Sequence, residues 1–226
     1  MISTPRNPDP VLAASVGRLL FSDSLVWRHH KIGLLQAYLV EALAPGETET
    51  RLHVWHPSLC LSDEDSGRMH DHRFLLTSQV LLGAIHDTEI DLHLEWERQN
   101  RPPSSECYQI WNIQNARSAQ ADGKHWVRLE EGHHIYSIKK TEHVYSRGST
   151  YSYMPRKFHR SDVKELTVTV CTKKLQANSP ARLLARLGKE PQHAFDPTPG
   201  HGEVRESFRD LLREAGALLL AVARAK

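Results

Sequence analysis

Apolar and polar residues alternate with a period of two through the middle of the chain, and helical spacing is confined to the two ends. Ile90, Leu92, Leu94 and Trp96 alternate with Glu89, Asp91, His93 and Glu95, and Leu166, Val168 and Val170 alternate with Thr167, Thr169 and Cys171. Side chains two apart on a strand share a face, so both stretches predict half-buried strands. The nearly continuous apolar run Leu34–Ala42 also predicts a strand, because Ala44-Pro45-Gly46-Glu47 is a turn signal and Arg51–Trp55 a return strand. Further strands are predicted at 73–83, 106–114, 125–129, 142–147 and 150–154. Many short strands punctuated by turns indicate a sandwich or barrel.

At the ends the period changes. Val11, Leu12, Val16, Leu19 and Leu20 predict an amphipathic helix over residues 8–22. Ser179-Pro180 predicts the start of a short helical piece, Arg182–Leu187, followed by an irregular linker with Pro191, Pro197, Pro199 and Gly200. Val204, Phe208, Leu211, Leu212, Ala215, Leu218, Leu219 and Val222 then recur at helical spacing. The expected organisation is therefore a β domain with its N-terminal helix over residues 1–178, and a linker with a C-terminal amphipathic helix over 179–226.

Composition narrows the function classes. Lys and Arg number 29 against 27 Asp and Glu, a net charge of +2 that leaves no basic footprint for nucleic acid. No apolar run approaches the roughly 20 residues that span a bilayer. The opening Met1-Ile2-Ser3-Thr4-Pro5-Arg6 lacks the charged-then-apolar design of a signal peptide. Cys60, Cys107 and Cys171 are odd in number and widely spaced, which fits neither a disulfide framework nor a Cys-x-x-Cys zinc site. A reduced, cytoplasmic setting is the expectation, with no membrane and no nucleic-acid partner.

The 15 histidines change the picture more, since neutral imidazole is the commonest protein ligand for transition metals. His70 and His72 in Met69-His70-Asp71-His72-Arg73-Phe74 would project to one face of a strand, about 7 Å apart at the backbone, and converge on one ion. About one such His-x-His pair arises by chance in a chain this rich in histidine, so its surroundings carry the weight. Phe74, Leu76, Ser78 and Val80 continue the same face, and Gly83 ends the run before Ile85. His53 with Trp55, and Tyr151 with Tyr153, also share faces, either lining a pocket or packing an interior. Asp71 and Arg73 fall opposite the histidines, where an outer-layer salt bridge is expected.

Taken together these residues resemble the two motifs of the cupin family. In the first, His-x-His is followed by a glutamate and then a glycine; here three residues separate His72 from Leu76, and six separate Leu76 from Gly83, so leucine stands at the glutamate position. The second is carried by Gly148, Pro155 and His159, with Lys157 where the motif has an inner glycine. The resemblance covers roughly residues 34–173 and implies a mainly β fold, a cupin-type β-barrel (jelly roll), flanked by the two helices. It also implies an extra hairpin region around 97–125, and His70, His72 and His159 as ligands of one divalent transition metal.

Three histidines without the carboxylate resemble the site of cysteine dioxygenase and related thiol dioxygenases. That likeness implies Fe(II), with a small-molecule substrate and O2 as partners, and oxidoreductase (dioxygenase) activity on a small anionic or thiol-bearing molecule. None of the three cysteines lies on the His70 strand, so the cysteine–tyrosine cross-link of some of those enzymes has no counterpart. Tyr151, Tyr153 and Arg156 are the expected substrate-contacting residues, with Arg160 a further carboxylate binder. A non-catalytic ligand-binding cupin, and a cupin isomerase or epimerase with a histidine base, remain open. Pairing of cupin sheets makes a homodimer a possible assembly.

Overall fold

The computed structural model describes residues 9–22, 24–30, 32–41, 46–60, 68–94, 107–114, 125–129, 134–174, 181–189, 194–195 and 206–225. Most of them are in strands, in two antiparallel sheets bracketed by an N-terminal and a C-terminal helix. The first sheet is ordered β1 (Trp27–His30), β2 (Ile32–Val40), β3 (Thr48–Cys60), β11 (Thr167–Lys174), β4 (Leu76–Leu82) and β9 (Thr150–Tyr153). The second runs β10 (Phe158–Asp162), β5 (Ala84–Leu94), β8 (Tyr136–Ser146), β6 (Tyr108–Gln114), β7 (His125–Leu129) and β13 (Ala194–Phe195), with β12 (Ala181–Arg186) also on β6.

The expected strands appear in place, and β6 with β7 forms the hairpin region expected around 97–125. Trp96, Pro45 of the first turn, Val204 and the proline-rich linker lie outside the described residues. Arg182–Leu187 departs from expectation: Ala181–Arg186 is strand β12, so the second sheet continues past residue 178. Its Ala, Leu and Arg residues favour a helix, but a strand here buries Leu183 and Leu184 on opposite faces. Tertiary pairing outweighs local propensity.

Met69–Asp71 completes this sheet. His70 exchanges backbone hydrogen bonds with His159 on β10, while Asp71 N–H donates to Arg182 O and Leu184 N–H to Met69 O on β12. Pairings therefore run in a circuit from β10 through β5, β8, β6 and β12 back to β10. Met69, Ile90, Tyr108, Ile110, Phe158 and Leu184, one or more from most members of that circuit, form one apolar cluster. His70 and His159 alternate with Met69 and Phe158, so they project to the opposite face, towards the first sheet.

The first sheet has two unlike faces. Leu35, Leu52, Val54, Leu81 and Val168 point outward and are covered by α1 (Pro10–Leu20) and α2 (Glu206–Arg224). Asp9 caps α1 by accepting a hydrogen bond from Val11 N–H, with Pro10 at its first turn. The tail helix packs on its own sheet over Leu81, which buries its apolar stripe, while Leu75 stays 40% exposed. The helices cross at Gly17 and Gly216, where a Cβ on Gly216 would lie 2.8 Å from Phe21 and 3.0 Å from Gly17 O.

The inward face mixes apolar and polar residues. Leu34, Trp55, Val80, Ile85, Tyr151 and Tyr153 join the two sheets in one cluster. Gly83, at φ 71°, turns β4 into β5, and a Cβ there would strike Thr167 Oγ1 at 2.4 Å. Strand register aligns Glu49, Lys173, Leu76 and Tyr153 in one cross-strand row, and Tyr38, Arg51, Cys171, Ser78 and Tyr151 in the next. None of Cys60, Cys107 and Cys171 is joined in a disulfide. Among the described residues no helix is long and apolar enough to cross a membrane.

Candidate metal centre

His70, His72 and His159 come together between the sheets, each offering one ligand nitrogen, all within 4.8 Å of one another. Long-range backbone hydrogen bonds bring them there. His70 is pinned by its double hydrogen bond to His159, so β10 and the Met69–Asp71 segment place two imidazoles side by side, 4.7 Å between ring centres. His72 lies beyond that bridge, in irregular backbone rather than on the predicted strand, which begins only at Leu76. Its carbonyl accepts from Arg156 N–H at 2.8 Å. Arg156 itself adopts a left-handed φ of 68°, one residue before the position where the cupin motif carries glycine.

Between the two histidines, Asp71 is almost fully buried. Its Oδ1 accepts from Arg182 N–H at 2.8 Å and its Oδ2 from Arg182 Nε at 2.6 Å, with Arg156 Nη1 3.6 Å away. Asp71 thus forms a salt bridge away from the histidines, as expected, but the bridge is buried and its partner is Arg182 on β12 rather than the neighbouring Arg73.

The outer ring nitrogens of two ligands are held. His70 Nδ1 lies 3.0 Å from Arg68 O, and His159 Nδ1 lies 3.0 Å from Asp87 Oδ1. A carbonyl and a carboxylate are acceptors, so Nδ1 carries the proton in both rings and Nε2 presents its lone pair inward. His159 Nε2 is 3.0 Å from His72 Nε2. Two nitrogens about 2.1 Å from an ion and at right angles would stand roughly 3 Å apart, so this spacing suits a shared metal. Burial holds the pKa of all three histidines below the ordinary value, His72 and His159 furthest, and the neighbouring imidazoles depress His72 and His159 further. Neutral imidazole is the ligating form.

Asp87 is the hub behind His159. The same Oδ1 also accepts from Tyr153 Oη at 2.6 Å and Ser161 Oγ at 3.0 Å. Burial raises the Asp87 pKa, and those hydroxyl hydrogen bonds oppose the rise. Tyr153 stacks its ring on His159 with centres 3.7 Å apart, and burial lifts its phenol well above the usual value. Tyr151 packs edge-on to Tyr153 and face-on to Tyr145. Phe74 stacks on His72 at 5.1 Å.

Of the sequence-predicted residues, the fold thus gathers His70, His72, His159, Tyr153 and Phe74 directly, with Tyr151 one ring behind. Arg156 lies at the edge with its guanidinium towards Asp71, and Arg160 pairs with Asp162 at 2.7 Å. Leu76 is on the inward face beside Tyr153. Trp55 packs inside, donating from Nε1 to Thr169 Oγ1, with His53 edge-on to it and 3.6 Å from Cys171 Sγ.

Sequence reasoning missed Asp87, Ser161, Glu49, Arg51 and Lys173. A signal existed for two of them: Glu49 and Arg51 continue the period-two face of His53 and Trp55. Glu49 is 2% exposed and forms ion pairs with Arg51 Nε and with Lys173 Nζ, the latter at 2.9 Å. Burial and the nearby Arg51 push the Lys173 pKa down to about 8.

No family model matches the chain, and no curated protein matches it. Among solved structures it is similar to the oxalate decarboxylase of Lactobacillus farciminis in its formate complex, at 10% identity and a TM-score of 0.36. The match covers 69% of this chain and 32% of that one, so the chain spans about a third of that protein's length.

Proposed function

We propose that the protein is a metal-dependent cupin whose His70, His72 and His159 hold one divalent transition-metal ion, and that it works as a non-haem Fe(II) dioxygenase on a small anionic or thiol-bearing molecule. The observation that carries this reading is the convergence of three neutral imidazoles whose outer nitrogens, on His70 and His159, are already committed to Arg68 O and Asp87. The cupin-like motif residues around them support it. An ion so held would supply Lewis acidity and, with only three protein ligands, open positions for substrate and oxygen.

The chain's own part is to hold, orient and keep dry. Asp87 fixes the tautomer and tilt of His159, and Asp71 with Arg182 and Arg156 fixes the backbone on either side of His72. Tyr153 covers one side of His159 and Phe74 one face of His72, while Val80, Leu76 and Tyr151 exclude water behind them. Tyr153, through its contact with His159, and with it Tyr151 and Arg156, are the residues this reading assigns to substrate contact.

Elemental analysis of untagged protein, purified without added metal, tests the first half. One equivalent of a transition metal is expected, and protein without metal that fails to take it up would overturn the reading. Oxygen consumption by the Fe(II)-loaded protein, measured against small thiols and carboxylic acids, tests the second. Saturable binding that leaves each compound unchanged, without oxygen uptake, would make this a ligand-binding cupin instead.

A further inference from the structure

We infer that Lys173 and Arg51, set around Glu49 on the inward face of the first sheet, form the subsite that receives the carboxylate of a small organic acid. This deepens the reading above and rests on it for the neighbouring metal, but the cluster itself stands on separate observations.

The first observation is charge. Two cations surround one carboxylate, in places where water is scarce: the side chain of Lys173 is 8% exposed, that of Glu49 2% and that of Arg51 19%. A buried charge is costly unless paired, and Glu49 can neutralise only one of its two partners. One positive charge is left inside the protein. The three imidazoles beside it are neutral, and Asp87, the buried carboxylate behind them, is already engaged by His159, Tyr153 and Ser161.

The second is donor geometry. Glu49 takes one of the three donors on Lys173 Nζ. Arg51 spends one bond per nitrogen, Nε on Glu49, Nη1 on Gln36 at 3.0 Å and Nη2 on Tyr38 at 3.0 Å, which leaves a further N–H on each terminal nitrogen. The guanidinium is thereby locked in place by three side chains of the neighbouring strands β2 and β3, and a planar carboxylate is the partner such a fork prefers.

The third is position. Lys173 stands in the same cross-strand row as Leu76 and Tyr153, and Tyr153 stacks on His159. Lys173 Nζ also sits 4.5 Å from the centre of the Phe74 ring, whose other neighbour is His72. The cluster and the three histidines therefore share one interior, and both Lys173 and Arg51 are near enough to bear electrostatically on His72. A molecule with its reacting end at the histidines and a carboxylate a few bonds away would offset the surplus charge.

The test compares sodium acetate with acetamide at matched ionic strength, reading the melting temperature of the protein both as purified and after chelator treatment. Acetate should raise it and acetamide should not, in both preparations. Lys173→Met should abolish the acetate response while leaving Glu49 paired with Arg51, and Lys173→Arg should keep it. Glu49→Gln should increase acetate affinity by about tenfold, the scale of one charge-assisted hydrogen bond, because both cations then face the ligand. Equal or absent responses to acetate and acetamide in the parent, an acetate response that survives Lys173→Met, or weaker binding in Glu49→Gln would each overturn the inference. Loss of one variant to misfolding leaves the other decisive, since they predict opposite signs. A parent that holds no metal but keeps the acetate response after chelation would sink the metal reading and leave this subsite standing.

Discussion

His159 Nε2 lies 3.0 Å from His72 Nε2 although 87 positions separate the two residues in the chain. Nothing local holds them together. Their proximity is enforced by the double hydrogen bond between His70 and His159 and by the Arg156 N–H that grips the His72 carbonyl. The site is thus built by backbone pairing, and the imidazoles are passengers on it.

Replacing any one of these imidazoles should therefore remove the ion without unfolding the sheets. His70→Ala, His72→Ala and His159→Ala are each expected to lose stoichiometric metal by elemental analysis while keeping the parent circular dichroism spectrum. His86→Ala, which alters a histidine outside the cluster, should retain it.

Asp87→Asn should weaken metal binding by about 10–100-fold in a chelator competition, with all three ligands still present. The amide keeps the shape of the carboxylate but removes its charge, and one Oδ1 can no longer serve His159, Tyr153 and Ser161 alike. Binding as tight as the parent's would show that Asp87 only fills space.

Leu76→Glu places a carboxylate on the inward face next to Tyr153. Tighter metal binding is expected, together with altered or suppressed oxygen consumption, because a fourth ligand occupies a position that substrate would use. An active variant with unchanged turnover would mean that residue 76 does not reach the ion.

Much of the fold was legible because its signal is periodic. The alternation through β5 and β11, and the helical stripes of α1 and α2, follow from one face meeting an interior and the other not. Strand β12 was not legible, since Ala181–Arg186 carries helix-favouring residues and both its leucines are buried by partners far away in sequence. At the site, His70, His72 and His159 stood out by chemistry and spacing. Asp87 did not, because a single aspartate in an alternating strand looks like any solvent-facing residue until β10 is paired beside it. Lys173 was hidden in the same way: at the end of β11 it reads as a surface lysine, and only the register with Glu49 places it inside.

Acid should destabilise the protein partly through His53. Burial and the nearby Arg51 hold its folded pKa well below 6.5, so as pH falls through 6.5 the unfolded chain takes up a proton that the folded one refuses. Stability is lost below that point, by up to about 1.4 kcal/mol per pH unit for each such histidine. Urea unfolding at pH 7 and pH 5.5 should show a shallower loss in His53→Gln than in the parent; equal slopes would mean that His53 protonates freely in the folded state.

Truncation after Pro199 removes α2 and uncovers Leu52, Leu81 and Val168. A lower melting temperature and aggregation are expected, with Leu219→Ala, at about 2–5 kcal/mol, as the milder version. A truncated protein that melts with the parent would show that the sheet does not need its cover.

The crossing of α1 and α2 at Gly17 and Gly216 has a bearing on synthesis. The outward face of the first sheet draws its cover from residues 10–20 and from residues 206–224, so that layer of core has no finished form until residue 224 has left the ribosome. During translation β1 to β11 emerge with Leu35, Leu52 and Leu81 facing water, a transient invitation to chaperones or to neighbouring nascent chains. Two glycines that let the first helix receive the last one backbone to backbone are what finally ends that exposure.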